Sequence, residues 1–186
     1  MSVPAADSAS ALEDTRRWLE RAVIGLNLCP FAKAVQVKQQ VHLVACGAAG
    51  FADVLDALDA EAAALSRIPA QVRDTTLLVL TGGFDDFLLF NELAREGERR
   101  LARGGMEGVL QLASFHPEFV FAGADPADVS NFTNRSPWPT LHLLREESID
   151  RAVAAFPEPA SIYEANIRTL QQLGEAGWHA LGVGRS

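Results

Sequence analysis

Between positions 131 and 136 the sequence places Asn131, Thr133, Asn134, Arg135 and Ser136 almost side by side, with His116 upstream and His142 and Arg145 downstream. The set is rich in arginine and neutral donors and poor in acids. Arginine grips a carboxylate or phosphate through two parallel hydrogen bonds. Neutral amides and hydroxyls orient a carbonyl, and a histidine near its ordinary pKa can move a proton. These residue types suit a small anionic or carbonyl-bearing metabolite. Arg135 would be the anion grip, His116 the proton-transfer group, Asn131 and Asn134 the orienting donors, and Ser136, His142 and Arg145 further contacts. The bland alternative stays open, because Asn and Ser side chains also satisfy backbone groups in irregular loops.

Other chemistries are weaker. Cys29, His116 and Asn131 or Asn134 follow the chain order of some thiol hydrolases, as nucleophile, base and orienting amide. Against this, a cysteine at a helix C-terminus sits near the negative pole, which opposes the thiolate, and Leu28 and Phe31 predict a buried thiol. His116 and Glu118 with His142 could make a three-ligand metal site. The spacing matches no specific signature, Pro117 interrupts the pair, and no metal ligand is assigned. Gly82-Gly83 ends a strand before a helix, but Asp85 and Asp86 occupy the positive helix end that a phosphate would need. No motif names a cofactor.

Holding such side chains in fixed geometry requires a stiff backbone. Pro117 to Pro139 carries no helix or strand signal, and loops of roughly this length inside a compact domain tend to be functional or disordered. Phe119, Val120, Phe121, Phe132 and Trp138 give it apolar bulk, and Pro117, Pro126, Pro137 and Pro139 stiffen it. The aromatic loop 117–139 also supports a second function class, a non-catalytic module that docks a protein partner.

Around this loop the periodicity predicts helices and strands in alternation. A helix from a Ser10–Glu13 capping box carries Leu12, Leu19, Val23 and Leu26 on one face and ends by Pro30. Strands are predicted at Val41–Cys46, Thr75–Leu80, Gly108–Phe115 and Thr140–Arg145, the second buried on both faces. Helices are predicted over Phe51–Leu65, after an Asp85 or Asp86 cap, from about Glu147 to Phe156, and from a Ser161–Glu164 capping box to about Ala176. The fold class is α/β, bordering on α+β: a mixed sheet of about four strands packed with about five helices. Residues 10–181 are expected to form one domain, with tails at 1–9 and 182–186.

Composition narrows the setting. The 186 residues are 48% hydrophobic, enough for a core without disulfide or metal staples. Twenty-four acids against 16 bases leave a net charge of −8, which argues against nucleic acid and anionic membranes as partners. Two cysteines, no signal-like start and no long apolar run predict a cytoplasmic protein.

Three stretches taken together carry a resemblance: Leu26-Asn27-Leu28-Cys29-Pro30-Phe31-Ala32, Ser114-Phe115-His116-Pro117, and the run from Ser130 through Asn134-Arg135-Ser136-Pro137-Trp138-Pro139 to His142 and Arg145. They resemble a bacterial family known as domain of unknown function 1415. The resemblance spans nearly the whole chain and implies a single domain of that type. It brings no activity, cofactor or catalytic residue with it.

Overall fold

A computed structural model describes residues 8–155 and 158–186. Helix α1, Ser8–Trp18, passes directly into a π-helical segment, Leu19–Ile24. Its wider winding shows in the bond from the Gly25 N–H to the Glu20 carbonyl, 3.0 Å. Asn27, at φ 55°, turns the chain back so that the Leu28 N–H reaches the Val23 carbonyl. A short helix follows, α2, Ala32–Val37, which buries no residue fully and so had no amphipathic signature to predict it. Then come β1 (Val41–Cys46), α3 (Phe51–Arg67), β2 (Thr75–Leu80), α4 (Phe87–Arg103), β3 (Leu110–Phe115), a 3-10 turn (Val129–Asn134), β4 (Thr140–Arg145), α5 (Glu146–Ala155) and α6 (Pro159–Ala180).

The four strands form one sheet in the order β1-β2-β4-β3. β1 and β2 run parallel, and β4 runs antiparallel to both β2 and β3. This is the expected mixed sheet in an α/β fold, with β2 buried along its whole length. β3 starts at Leu110 rather than Gly108, because Gly108 sits at φ 74° and the Val109 and Leu110 N–H groups close a turn onto the Met106 carbonyl. Of the two predicted caps, Asp85 and Asp86, it is Asp86 that accepts from the Leu89 N–H, at 2.9 Å. Neither predicted capping box forms. Ser10 lies inside α1 and bonds Ser186, while Ser161 donates to the Glu158 carbonyl. The predicted end of α5 at Phe156 lies outside the described residues, as do positions 1–7 of the expected N-terminal tail.

Side chains alternate across a strand, so register decides what each face holds. One face presents Leu78, Leu80, Leu141 and Leu143 to α3 and α4, forming the larger core. Gly97 on α4 makes this contact possible, since a Cβ there would lie 2.9 Å from Leu58 and 3.0 Å from Leu112. The opposite face presents Thr75, Leu77, Phe115, His142 and Leu144 toward α1, the π-helical segment and α5. A second core lies on that side, built from Trp18, Val23, Phe132, Leu170 and Trp178. Residues 182–186, expected as a tail, lie against the fold: Val183 is buried, and the Ser186 N–H reaches the Asp14 carboxylate. Asp14 also accepts from Trp138 Nε1 and Arg17. Burial pushes its carboxyl up, but the bonds from Ser186, Trp138 and Arg17 outweigh that and hold it below the usual range.

Candidate functional site

The residues expected to share one site do not meet. His116 follows β3 and points to the α4 side of the sheet, fully buried between the rings of Phe87 and Phe90. Its Nε2 donates to the Phe84 carbonyl at 3.0 Å, and its Nδ1 accepts from the Glu118 N–H at 3.0 Å. Both ring nitrogens are engaged in the neutral tautomer. Burial depresses the pKa, although the bond to Phe84 opposes this. Asn131, also fully buried, accepts from the Phe121 N–H and donates to the Asp125 carbonyl, pinning the loop to itself. Asn134 donates to the Ser114 carbonyl, and Ser136 donates to the Trp138 carbonyl. Arg145 lies at the far end of β4, where its guanidinium holds the carbonyls of Leu65, Ile68 and Arg73. These groups act on the backbone, as loop polar groups commonly do.

His142 lies on the other face of the sheet from His116, paired with Leu77 and Ala113. The Cys29–His116 pairing is therefore corrected: the histidine that shares a wall with Cys29 is His142. The His116–Glu118–His142 metal reading loses its geometry for the same reason. Among the described residues no group of three or more His, Cys, Asp or Glu is placed to hold a metal ion.

The wall that Cys29 and His142 share belongs to a hollow of about 310 Å³ between the sheet, the π-helical segment, α2 and α5. Its lining is almost entirely apolar, with Trp18, Phe31, Phe115, Leu144 and Val153 prominent. Among the described residues no lysine or arginine borders it, and Asp74 is the one charged residue of its lining. The Asp74 carboxylate is already held by the Ser148 hydroxyl at 2.6 Å. Within the hollow's wall, the Thr75 hydroxyl donates to the Leu143 carbonyl at 2.7 Å. Its oxygen is then left to accept from His142 Nε2 at 2.6 Å. Nδ1 is the ring's remaining acceptor. Desolvation drops the His142 pKa to about 4, so the ring stays neutral near pH 7. Among the described residues the buried Nε1 of Trp18 has no hydrogen-bond partner.

The three stretches that carry the family resemblance each send a residue to this hollow: Cys29, Phe115 and His142. The model of the family described as "Protein of unknown function (DUF1415)" matches residues 10–180. The chain belongs to that family. No curated protein and no solved structure matches it. For this DUF1415 chain the structure reveals wall residues that sequence reasoning missed, above all Trp18, Phe115 and Val153. Their apolar type is the same as that of core residues, so no local signal separated them. Cys29 and His142 were singled out by type, but their association depends on which strand face His142 occupies.

A second concavity, about 370 Å³, opens at the other end of this core. Arg135, Ser136 and Pro117 line it together with the kinked end of α6 and the C-terminal residues. Of the predicted substrate-binding residues, Arg135 and Ser136 border this cleft, whereas Asn131, Asn134, His142 and Arg145 do not. Among the described residues no helix is long and apolar enough to cross a membrane.

Proposed function

We propose that this protein binds a small, uncharged, largely apolar molecule bearing one polar group, taken into the hollow between the sheet and α2 and α5. The observation that supports this reading is the hollow's lining: aromatic and aliphatic walls around one neutral histidine, with no cation to balance an anion. An isolated anion in such surroundings would carry a desolvation cost of several kcal/mol. An uncharged ligand with one donor carries no such cost, and His142 Nδ1 supplies its acceptor. Ligand sites commonly combine apolar walls with a few fixed polar groups.

The same geometry favours binding over acid–base chemistry. His142, its pKa lowered by burial to about 4, is a weak base at neutral pH. Cys29 serves here as a polarisable wall residue. The docking-module alternative draws little support, since Phe132 and Trp138 are buried instead of forming an exposed patch.

Titration with the uncharged fluorophore N-phenyl-1-naphthylamine tests the reading. Saturable enhancement is expected, with affinity weakened by more than about tenfold in Ala32→Trp, which fills the hollow, while the variant retains a cooperative thermal transition. Should Ala32→Trp fail to fold, His142→Phe provides the second measurement. It keeps the volume but removes the acceptor, so it should weaken 1-naphthol, which has a hydroxyl to donate, more than naphthalene. A wild-type protein that leaves the fluorophore unenhanced, or variants that bind it equally well, would overturn the proposal.

A further inference from the structure

The second cleft has a chemistry of its own. Arg135 lines it with its Nε donating to the Phe119 carbonyl at 3.2 Å and one Nη to the Pro126 carbonyl at 2.9 Å. No carboxylate forms an ion pair with it among the described residues, and its second Nη has no hydrogen-bond partner there. The guanidinium lies 4.7 Å over the Phe132 ring, and Phe132 stacks on Trp178 with ring centres 5.0 Å apart and planes 5° apart. Arg185 lines the cleft as well. It is fixed by the Pro137 carbonyl and an ion pair with Asp85 and lies 4.0 Å over the Trp138 ring, again with one Nη unengaged among the described residues.

Both guanidiniums are thus held in place beside an apolar wall, Arg135 by two carbonyls and an aromatic face, Arg185 by a carbonyl, an aromatic face and its ion pair with Asp85. Arg135 is partly buried with no carboxylate paired to it among the described residues, an unfavourable arrangement that an anion relieves. Its planar fork fits a carboxylate with little further loss of side-chain freedom. The opposing charge in the cleft is Glu175, which is well exposed and paired loosely with His179 at 3.6 Å. Gly174, at φ 66° and ψ 174°, breaks α6 and sets the direction of the segment carrying Glu175 and Trp178.

We infer that this cleft is a second ligand site, taking a small organic carboxylate whose charged end meets Arg135 and Arg185 and whose apolar body lies along the Phe132–Trp178 wall. It is independent of the hollow between sheet and helices: the two share no lining residue, and either can fail without the other.

The test is calorimetric or NMR titration of the whole protein with acetate, benzoate and 1-naphthoate, with benzamide as the uncharged control and inorganic phosphate as the alternative anion. Affinity should rise from acetate to 1-naphthoate, and benzamide should not compete. Arg135→Gln should weaken benzoate by more than about tenfold, the range of a lost charged hydrogen bond. Because Arg135 also braces its loop, Glu175→Gln is the second variant. It sits at the exposed rim, should leave the melting temperature unchanged, and should tighten benzoate a few-fold by removing a like charge. Failure of all three carboxylates to bind, binding of benzamide as tight as benzoate, or a Glu175→Gln protein with unchanged affinity would each overturn the inference. Phosphate binding that excludes the carboxylates would overturn it in favour of an inorganic-anion site. Binding of N-phenyl-1-naphthylamine should be unaffected by either variant, which separates this result from the reading of the hollow.

Discussion

The two faces of the sheet solve the same packing problem differently. On the α3–α4 face, Leu78, Leu80, Leu141 and Leu143 interlock with Val54, Leu58, Phe90 and Leu93, and the surface is filled. On the other face α1 gives way to a π-helical turn, the chain reverses at Asn27, and α2 and α5 stand over Leu77 and Leu144 without filling the gap. His116 and His142 show the consequence. The first is sealed among aromatic rings with both nitrogens bonded to backbone, whereas the second keeps an acceptor at the wall of a hollow. Both rings are neutral, so charge state alone does not distinguish a structural histidine from one that can meet a ligand. The difference lies in what remains unbonded.

The largest test of this contrast is a pair of truncations in β4, one on each face. Leu141→Ala, on the filled face, is expected to cost about 3–5 kcal/mol in denaturant unfolding. Leu144→Ala, beside an existing hollow, is expected to cost only about 1–2 kcal/mol, because fewer contacts are lost. Equal losses would mean that the hollow face is packed as well as the other.

Asn131→Ala should lower stability by about 1–3 kcal/mol, since it removes two part-buried hydrogen bonds, from the Phe121 N–H and to the Asp125 carbonyl, that fix the loop. Binding of the uncharged fluorophore should survive. If binding fell while the thermal transition held, Asn131 would belong to a site and the structural reading of the loop would be wrong.

Gly174→Ala places a side chain at a backbone angle suited to glycine and is expected to cost about 1–3 kcal/mol. Its effect should reach carboxylate binding, through Trp178 and Glu175, but not the hollow. Chemical denaturation and the two titrations, run on one preparation, would show whether the regions are separable.

Near neutral pH the smallest expected effect is proton linkage, which grows only on acidification. The folded-state pKa of His142, about 4, lies below its ordinary value of 6.5, so the unfolded chain binds more protons in that window. Stability should therefore be full above about pH 6.5 and decline as pH falls toward about 4. His116 and His42, also depressed, act in the same direction. His142→Gln should make the decline shallower without abolishing it. An unchanged slope would show that His142 does not carry the proton linkage.

Much of the frame was readable before any coordinates. The unbroken Thr75-Thr76-Leu77-Leu78-Val79-Leu80 run announced a strand covered on both sides, and the Asp85-Asp86 pair ahead of Phe87 announced a cap at one of the two, because both signals act within a few residues. The candidate site was legible only as a list of residue types. Asn131 and Arg135 do sit in a stiff loop, but the question of whether an amide turns inward to backbone or outward to a ligand is settled by neighbours as distant as Phe121 and Asp125. The short α2 helix and the packed C-terminal residues carried no periodic pattern to reveal them.

By itself, then, the sequence determined the family, the alternation of helices and strands, and the residue types capable of chemistry, since these rest on local pattern and composition. Only the tertiary structure decided that His116 and His142 face opposite ways, that Cys29 shares a wall with the latter, and that Arg135 stands beside Arg185. Those outcomes depend on strand register and long-range packing, where a shift of one residue moves a side chain to the other face of the sheet.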